Sequence, residues 1–137
     1  MGSRRKSRIL AVQALYSWEM TACEPEWLYD FPWRSPSVDE DTLAFARLLV
    51  AGTIERMENI DSHINAQLEH WDFSRLSKVD LAILRISAYE LLYQSDTPAN
   101  VSIDEAIGIA KEFSARDSYR FINGVLDGIR KRGKPSE

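Results

Sequence analysis

The stretch Val79–Tyr93 limits what this chain can fold into more than any other. It contains no Gly and no Pro. At about 100° per residue, Asp80 and Ser87 fall on one narrow strip with Glu90 close beside it, and Arg85 points nearly the opposite way. The rest of the circumference is apolar or aromatic. A helix that is apolar nearly all round is buried, in a globule or in a membrane. This run is too short and too charged to cross a bilayer. It reads as the central helix of a soluble domain, packed on several sides, with Arg85 as a permanent cation that the core must accommodate.

The flanking sequence supplies further helices. At 137 residues the chain fits one domain, 1–137. Ser3 or Ser7 caps a first helix that runs to about Met20, with Ile9, Val12, Tyr16 and Met20 as its stripe. Pro25, Pro32 and Pro36 break the pattern over residues 22–38, where Trp27, Tyr29, Phe31 and Trp33 alternate at period two. That segment reads as a connection lying across the domain with alternate aromatics tucked in; self-association or partner binding is the alternative. Asp39 or Asp41 caps a second helix through Met57, in which Gly52 marks a close crossing. Ile60, Ile64, Leu68 and Trp71 continue the spacing, either after a break near Asn59 or as one long bent helix. Ser77 and Asp80 form a capping-box-like start to the central helix, and Ser102 with Glu105 forms a capping box for the next. After a turn at residues 114–118 the last helix carries Gly124 and Gly128 four apart, read as room for another backbone. No strand pattern appears. The expectation is all-α, about six or seven helices, with mostly antiparallel neighbours.

The search for chemistry returns little. Cys23 is alone, which leaves no disulfide framework and no Cys-based zinc site, and suits a reducing compartment. No apolar leader and no long apolar run is present, so neither a signal peptide nor a membrane span is expected. His63 and His70 lie near Asp61, Glu69 and Asp72, but surface histidines are favoured over a metal site. There is no phosphate loop, no His-Glu-x-x-His and no dinucleotide fingerprint. The expectation is a protein that is not an enzyme and uses no cofactor or metal.

Three constellations point to binding instead. The net charge of −4 conceals two basic ends. Residues 1–8 carry Arg4, Arg5, Lys6 and Arg8 without an acid, and residues 130–137 carry Arg130, Lys131, Arg132 and Lys134 against Glu137. Cations in a first helical turn oppose the helix dipole at roughly 0.3–1 kcal/mol each, so their presence suggests another use, such as following a phosphate backbone. The C-terminal cations have a blander reading, since they complement a helix C-terminus. Arg85 with Tyr89 is the second constellation; an internal salt bridge is its alternative, because buried charge must be paired. The third is Asp117, Ser118, Tyr119, Arg120, Phe121 and Asn123. Backbone N–H groups at a helix start, a cation, an amide and stacking rings are the parts of a single-stranded RNA site.

Four motifs carry a family resemblance: Ala11–Trp18 (AVQALYSW), Ile83–Leu91 (ILRISAYEL), Val101–Ile107 (VSIDEAI) and Phe121–Leu126 (FINGVL). In this order they resemble the NusB family of transcription antitermination factors across nearly the whole chain. The resemblance implies an all-helical fold of two packed three-helix units and a bacterial, cytoplasmic protein. It also implies binding to the boxA element of nascent ribosomal transcripts, jointly with the ribosomal protein NusE, within an RNA polymerase antitermination complex. By position it assigns RNA binding to Arg4, Arg5, Lys6, Arg8, Arg85, Asp117, Tyr119, Arg120, Phe121 and Asn123. The partner surface falls to Tyr16, Asp80, Leu81 and Tyr89. Asp80 stands where some relatives have Glu, the basic arm is shorter than in some, and the aromatic loop 25–36 is not a family motif. That loop keeps a dimerising or scaffold role as an alternative, beside an accessory role in RNA maturation without antitermination.

Overall fold

The computed structural model describes residues 3–69 and 72–132. Met1 and Gly2 of the basic arm, His70, Trp71, and Lys134 and Glu137 of the C-terminal end lie outside the described residues. Seven α-helices follow in order among those described: α1 (Arg4–Thr21), α2 (Pro25–Leu28), α3 (Glu40–Glu55), α4 (Met57–Asn65), α5 (Lys78–Tyr93), α6 (Ala99–Phe113) and α7 (Ser118–Arg132). A 3₁₀ turn at Phe73–Arg75 precedes α5.

α5 is the axis of the molecule. Every residue from Asp80 to Leu92 is buried, as its nearly all-round apolar surface requires. It packs against α1 and α3 on one side, α6 and α7 on the other, and α4 between them. One three-helix set precedes it, α1, α3 and α4, and α5 itself belongs to the second with α6 and α7. No helix among the described residues is long and apolar enough to cross a membrane.

Caps choose among the sequence alternatives. Ser3 caps α1, its hydroxyl accepting from the Lys6 N–H at 3.1 Å. Ser7 is instead buried inside α1 and donates to the Thr42 carbonyl at 2.7 Å, tying α1 to α3. Asp39 caps α3 through the Thr42 N–H, and Ser77 caps α5 through the Asp80 N–H. The helix break falls at Arg56, not at Asn59, which lies within α4 and donates from its side-chain amide to the Tyr93 hydroxyl.

Two sequence expectations fail in α6 and α7. Ser102 does not open a helix: α6 begins at Ala99 behind Pro98, and Ser102 is buried one turn in. A proline start ends the preceding chain as firmly as a polar cap does, and outcompeted the box here. Gly124 faces open space, and Gly128 lies under the Gln67 side chain, so neither admits a neighbouring backbone. Gly52 does mark a close crossing: any Cβ there would run into the Tyr89 ring of α5.

The 22–38 segment lies across α1 and α3, but of its four alternating aromatics only Phe31 is buried. Leu28 and Phe31 are fully buried, and Arg47 on α3 donates from Nε to the Tyr29 carbonyl at 2.8 Å. Trp27 and Trp33 stay largely outside, with ring centroids 6.0 Å apart.

Candidate nucleic-acid interface

The four N-terminal cations have different fates. Arg8 is only 5% exposed, and its Nε and Nη2 donate to the two Glu90 oxygens at 2.8 and 2.9 Å. This bidentate pair is a core contact between α1 and α5, so Arg8 is withdrawn from the RNA-binding set. Arg4 lies over the Phe45 ring, 3.9 Å from its centroid. Arg5 sits with Nη1 at 3.7 Å from a Glu105 oxygen and Nη2 at 3.7 Å from a Glu112 oxygen, its side chain 46% exposed. Lys6 is exposed. The dipole cost of cations at this helix start is therefore offset in part by carboxylates of α5 and α6.

Arg85 is also withdrawn. It is 7% exposed and points between α1 and α4, donating to both Asp61 oxygens at 2.9 and 2.8 Å and to Glu19 at 2.8 Å. Lys78 adds a second cation, 3.5 Å from Glu19. The hydrogen bond from Arg85 holds the Glu19 carboxyl below its ordinary pKa, against the opposing effect of burial. Burial pulls Arg85 itself down, but the bonds to Asp61 and Glu19 outweigh it and carry its pKa up. A guanidinium so enclosed is a clamp between helices, its charge already met by two carboxylates.

Three of the partner-facing assignments, Asp80, Leu81 and Tyr89, are buried as well. Leu81 belongs to the core, and Tyr89 packs on Gly52, stacks on Tyr93 and accepts at its hydroxyl from Gln94 at 3.0 Å. Full wrapping of α5 hides Leu81 and Tyr89 from any partner.

Apart from the cations of α1, two adjoining concave places stand out. The first is a half-open depression of about 430 Å³ where the starts of α5 and α7 meet, lined by Arg75, Leu76, Ser77, Asp80, Ala115, Asp117, Ser118 and Phe121. Asp80 lies in its wall beside Phe121, although it was assigned to the protein partner and Phe121 to RNA. The Asp80 Oδ1 is buried without a hydrogen-bond partner among the described residues. Elsewhere on α7 Asn123 and Arg120 are exposed, Arg120 Nε donates to the Tyr119 hydroxyl at 3.0 Å, and Lys111 Nζ stands 4.7 Å from the centre of the Tyr119 ring. Arg75 and Lys111 were missed by the sequence reading. Arg75 sits in a connector with no pattern of its own, and Lys111 reaches Tyr119 only through the α6–α7 turn.

The second place is a groove of about 340 Å³ lined by Ile9, Val12, Gln13, Tyr16, Ser17, Trp33, Val79 and Phe113. It is mostly apolar; Tyr16 and Phe113 are 39% and 43% exposed. Val79 and Asp80, consecutive on α5, line the groove and the depression in turn. Among the described residues no group of three or more His, Cys, Asp or Glu side chains is placed to hold a metal ion.

A family model described as the NusB family matches residues 5–131. The chain is 52% identical over 130 residues to the transcription antitermination protein NusB of Treponema pallidum, covering 93% of this chain and 92% of that one. The chain belongs to the NusB family. The NusB of Treponema denticola is 44% identical over 131 residues, covering 94% and 96% of the two chains. Among solved NusB structures, that from T. maritima superposes with a TM-score of 0.89 at 37% identity, over 98% of this chain and 96% of that one. A structure of the antitermination factors NusB and NusE in complex with dsRNA matches with a TM-score of 0.85 at 25% identity, over 94% and 96%. The NusB match begins at Arg5 and ends at Lys131, and so includes both surface sites.

Proposed function

We propose that this chain acts in transcription antitermination by holding single-stranded boxA-type RNA and a NusE-type ribosomal protein side by side. The observation that carries this reading is the adjacency of the two surface sites. One turn of α5 supplies Val79 to an apolar groove suited to a protein and Asp80 to a second, equally apolar depression that carries carboxylates and a ring in its wall. Phe113, the last residue of α6, and Ala115, just beyond it, likewise line the groove and the depression. RNA in the depression would therefore touch a protein in the groove, and each would stabilise the other's binding. Aromatic stacking with flanking cations is how single-stranded RNA is gripped. The RNA-facing set is then Arg4, Arg5, Lys6, Arg75, Lys111, Asp117, Tyr119, Arg120, Phe121 and Asn123, and the protein-facing set is Tyr16, Trp33, Val79 and Phe113. A complex of NusB and NusE with dsRNA, in which the matching chain has the same fold, supports the pairing of an RNA with that protein.

Titration with boxA-containing RNA, with and without the ribosomal protein, tests the proposal. Affinity should rise when both are present and should fall for a scrambled boxA. Equal affinity for both sequences, or no gain from the protein, overturns it. Phe121→Ala should cost roughly 1–3 kcal/mol of RNA binding if a base stacks there. The exposed pair Trp27 and Trp33 supports self-association as a second reading, which a concentration-independent monomer in light scattering removes.

A further inference from the structure

Arg5 does not project freely from the basic arm. Its guanidinium lies along α6, over Gly108, where an added Cβ would stand 3.0 Å from Nη1 and 3.3 Å from Nη2. Glu105 and Glu112 flank that glycine on the same face of α6, at spacings of three and four residues, as neighbours on a helix do. Each places one oxygen 3.7 Å from one of the two terminal nitrogens. Gly108 thus makes a shallow seat, and two carboxylates close it from either side. Neither distance is that of a hydrogen bond, and the guanidinium remains about half exposed. The arrangement neutralises Arg5 without consuming its donors, in contrast to Arg8 one turn later, which is buried and bidentate on Glu90.

We propose that Glu105 and Glu112 act as an internal counter-anion for Arg5, which an incoming RNA phosphate has to displace, so that these residues set the contrast between cognate and unrelated RNA. The inference rests on the RNA-binding reading above. Any polyanion is attracted to the exposed cations of this face. A ligand held only by charge gains little from evicting two carboxylates that serve Arg5 almost as well. RNA also anchored in the depression at Phe121 and Asp117 holds its backbone in place long enough for the exchange. Seating Arg5 on α6 therefore weakens unspecific binding more than specific binding.

The test uses the full chain and two RNAs, one containing boxA and one scrambled. Glu112 is the cleaner carboxylate to remove, because Glu105 also lies 3.7 Å from Arg8. Glu112→Gln should tighten scrambled RNA about three- to tenfold and boxA RNA less, and should steepen the scrambled-RNA slope of log K against log salt by about 0.7, one more phosphate contact on a single strand. Gly108→Gln fills the seat without changing charge and replaces a poor helix former with a good one, so folding is not at stake. It should move scrambled-RNA binding the same way. Both effects should vanish in an Arg5→Gln background. Persistence of the Glu112→Gln gain without Arg5 would show a general charge effect and overturn the proposal, as would unchanged binding by Gly108→Gln. Absence of RNA binding by the unaltered chain removes the RNA reading itself. Normal binding by the unaltered chain with silent variants removes only the seat.

Discussion

The fates of Arg8 and Arg85 turn on which carboxylate reaches each, and that partner comes from another helix. Arg85 with Glu19 and Asp61, and Arg8 with Glu90, are separated in sequence by 66, 24 and 82 residues. The sequence shows a cation on an apolar helix and a cation in a basic arm; it does not show the acid folded onto either. Lys6 and Arg120 are exposed and need no distant carboxylate to explain their place. Glu19 offers a direct check of the clamp. Its carboxyl is held below the ordinary glutamate value chiefly by the Arg85 hydrogen bond. A depressed pKa contributes stability that is complete above the unfolded-state value and is lost as pH falls through the folded-state value. Glu19→Gln should therefore be less stable than the unaltered chain at pH 7, with the gap closing below about pH 4.5 as the unfolded glutamate titrates. Urea unfolding at a series of pH values measures it; a gap that is constant with pH would show that Glu19 acts by packing alone.

At the scale of elements, periodicity placed α1, α3, α5 and α7 well because each has an apolar face to bury, and α5 has little else. The failures lie where short polar residues have several uses. Ser102 looked like a cap and is a buried residue inside α6, and Asn59 looked like a break and is a hydrogen-bond donor to Tyr93. Ser, Thr and Asn all bond to backbone locally, so a cap motif alone does not exclude an interior position. Glycines are equally ambiguous. Of the three that were read as crossings, only Gly52 bears a ring of α5 against it. Gly52→Ala should accordingly destabilise the fold. Alanine gains up to about 1 kcal/mol in helix propensity, but its methyl group has to push back the Tyr89 ring, and overpacking of this kind costs about 1–3 kcal/mol. The Gln94 bond to the Tyr89 hydroxyl resists the shift from the far end. Denaturation midpoints compare this variant with Gly124→Ala, where open space leaves only the propensity gain. If Gly52→Ala is as stable as Gly124→Ala, the α3–α5 contact is looser than its geometry implies.

For the molecule as a whole, charge matters by where it is left exposed. The chain carries a net charge of −4, so general attraction to RNA is weak and a local patch has to supply it. Of the cations on the proposed RNA face, Arg8 and Arg85 are spent on carboxylates in the core. Arg4, Arg5, Lys6, Arg75, Lys111 and Arg120 are left at the surface. Each phosphate neutralised on a single strand contributes about 0.7 to the slope of log K against log salt. Six such contacts set an upper bound of about 4.2 on its magnitude. Lys6→Gln should lower that slope by about 0.7 and weaken boxA and scrambled RNA alike, because a phosphate contact carries no sequence information. Arg85→Gln, assayed where it remains folded, should leave the slope untouched, since its cation never reaches the solvent-facing surface. Salt titrations of RNA binding by fluorescence anisotropy separate these outcomes. A slope well above the bound would mean that the C-terminal cations Arg130, Lys131 and Arg132 join the interface. The first two are each engaged with Asp127, whose carboxyl the Arg130 hydrogen bond and then Lys131 hold below its ordinary pKa. RNA recruiting that end would have to break this local pairing, so Asp127→Asn should steepen the slope if the end participates and leave it unchanged if the interface stops at α1, α6 and the start of α7.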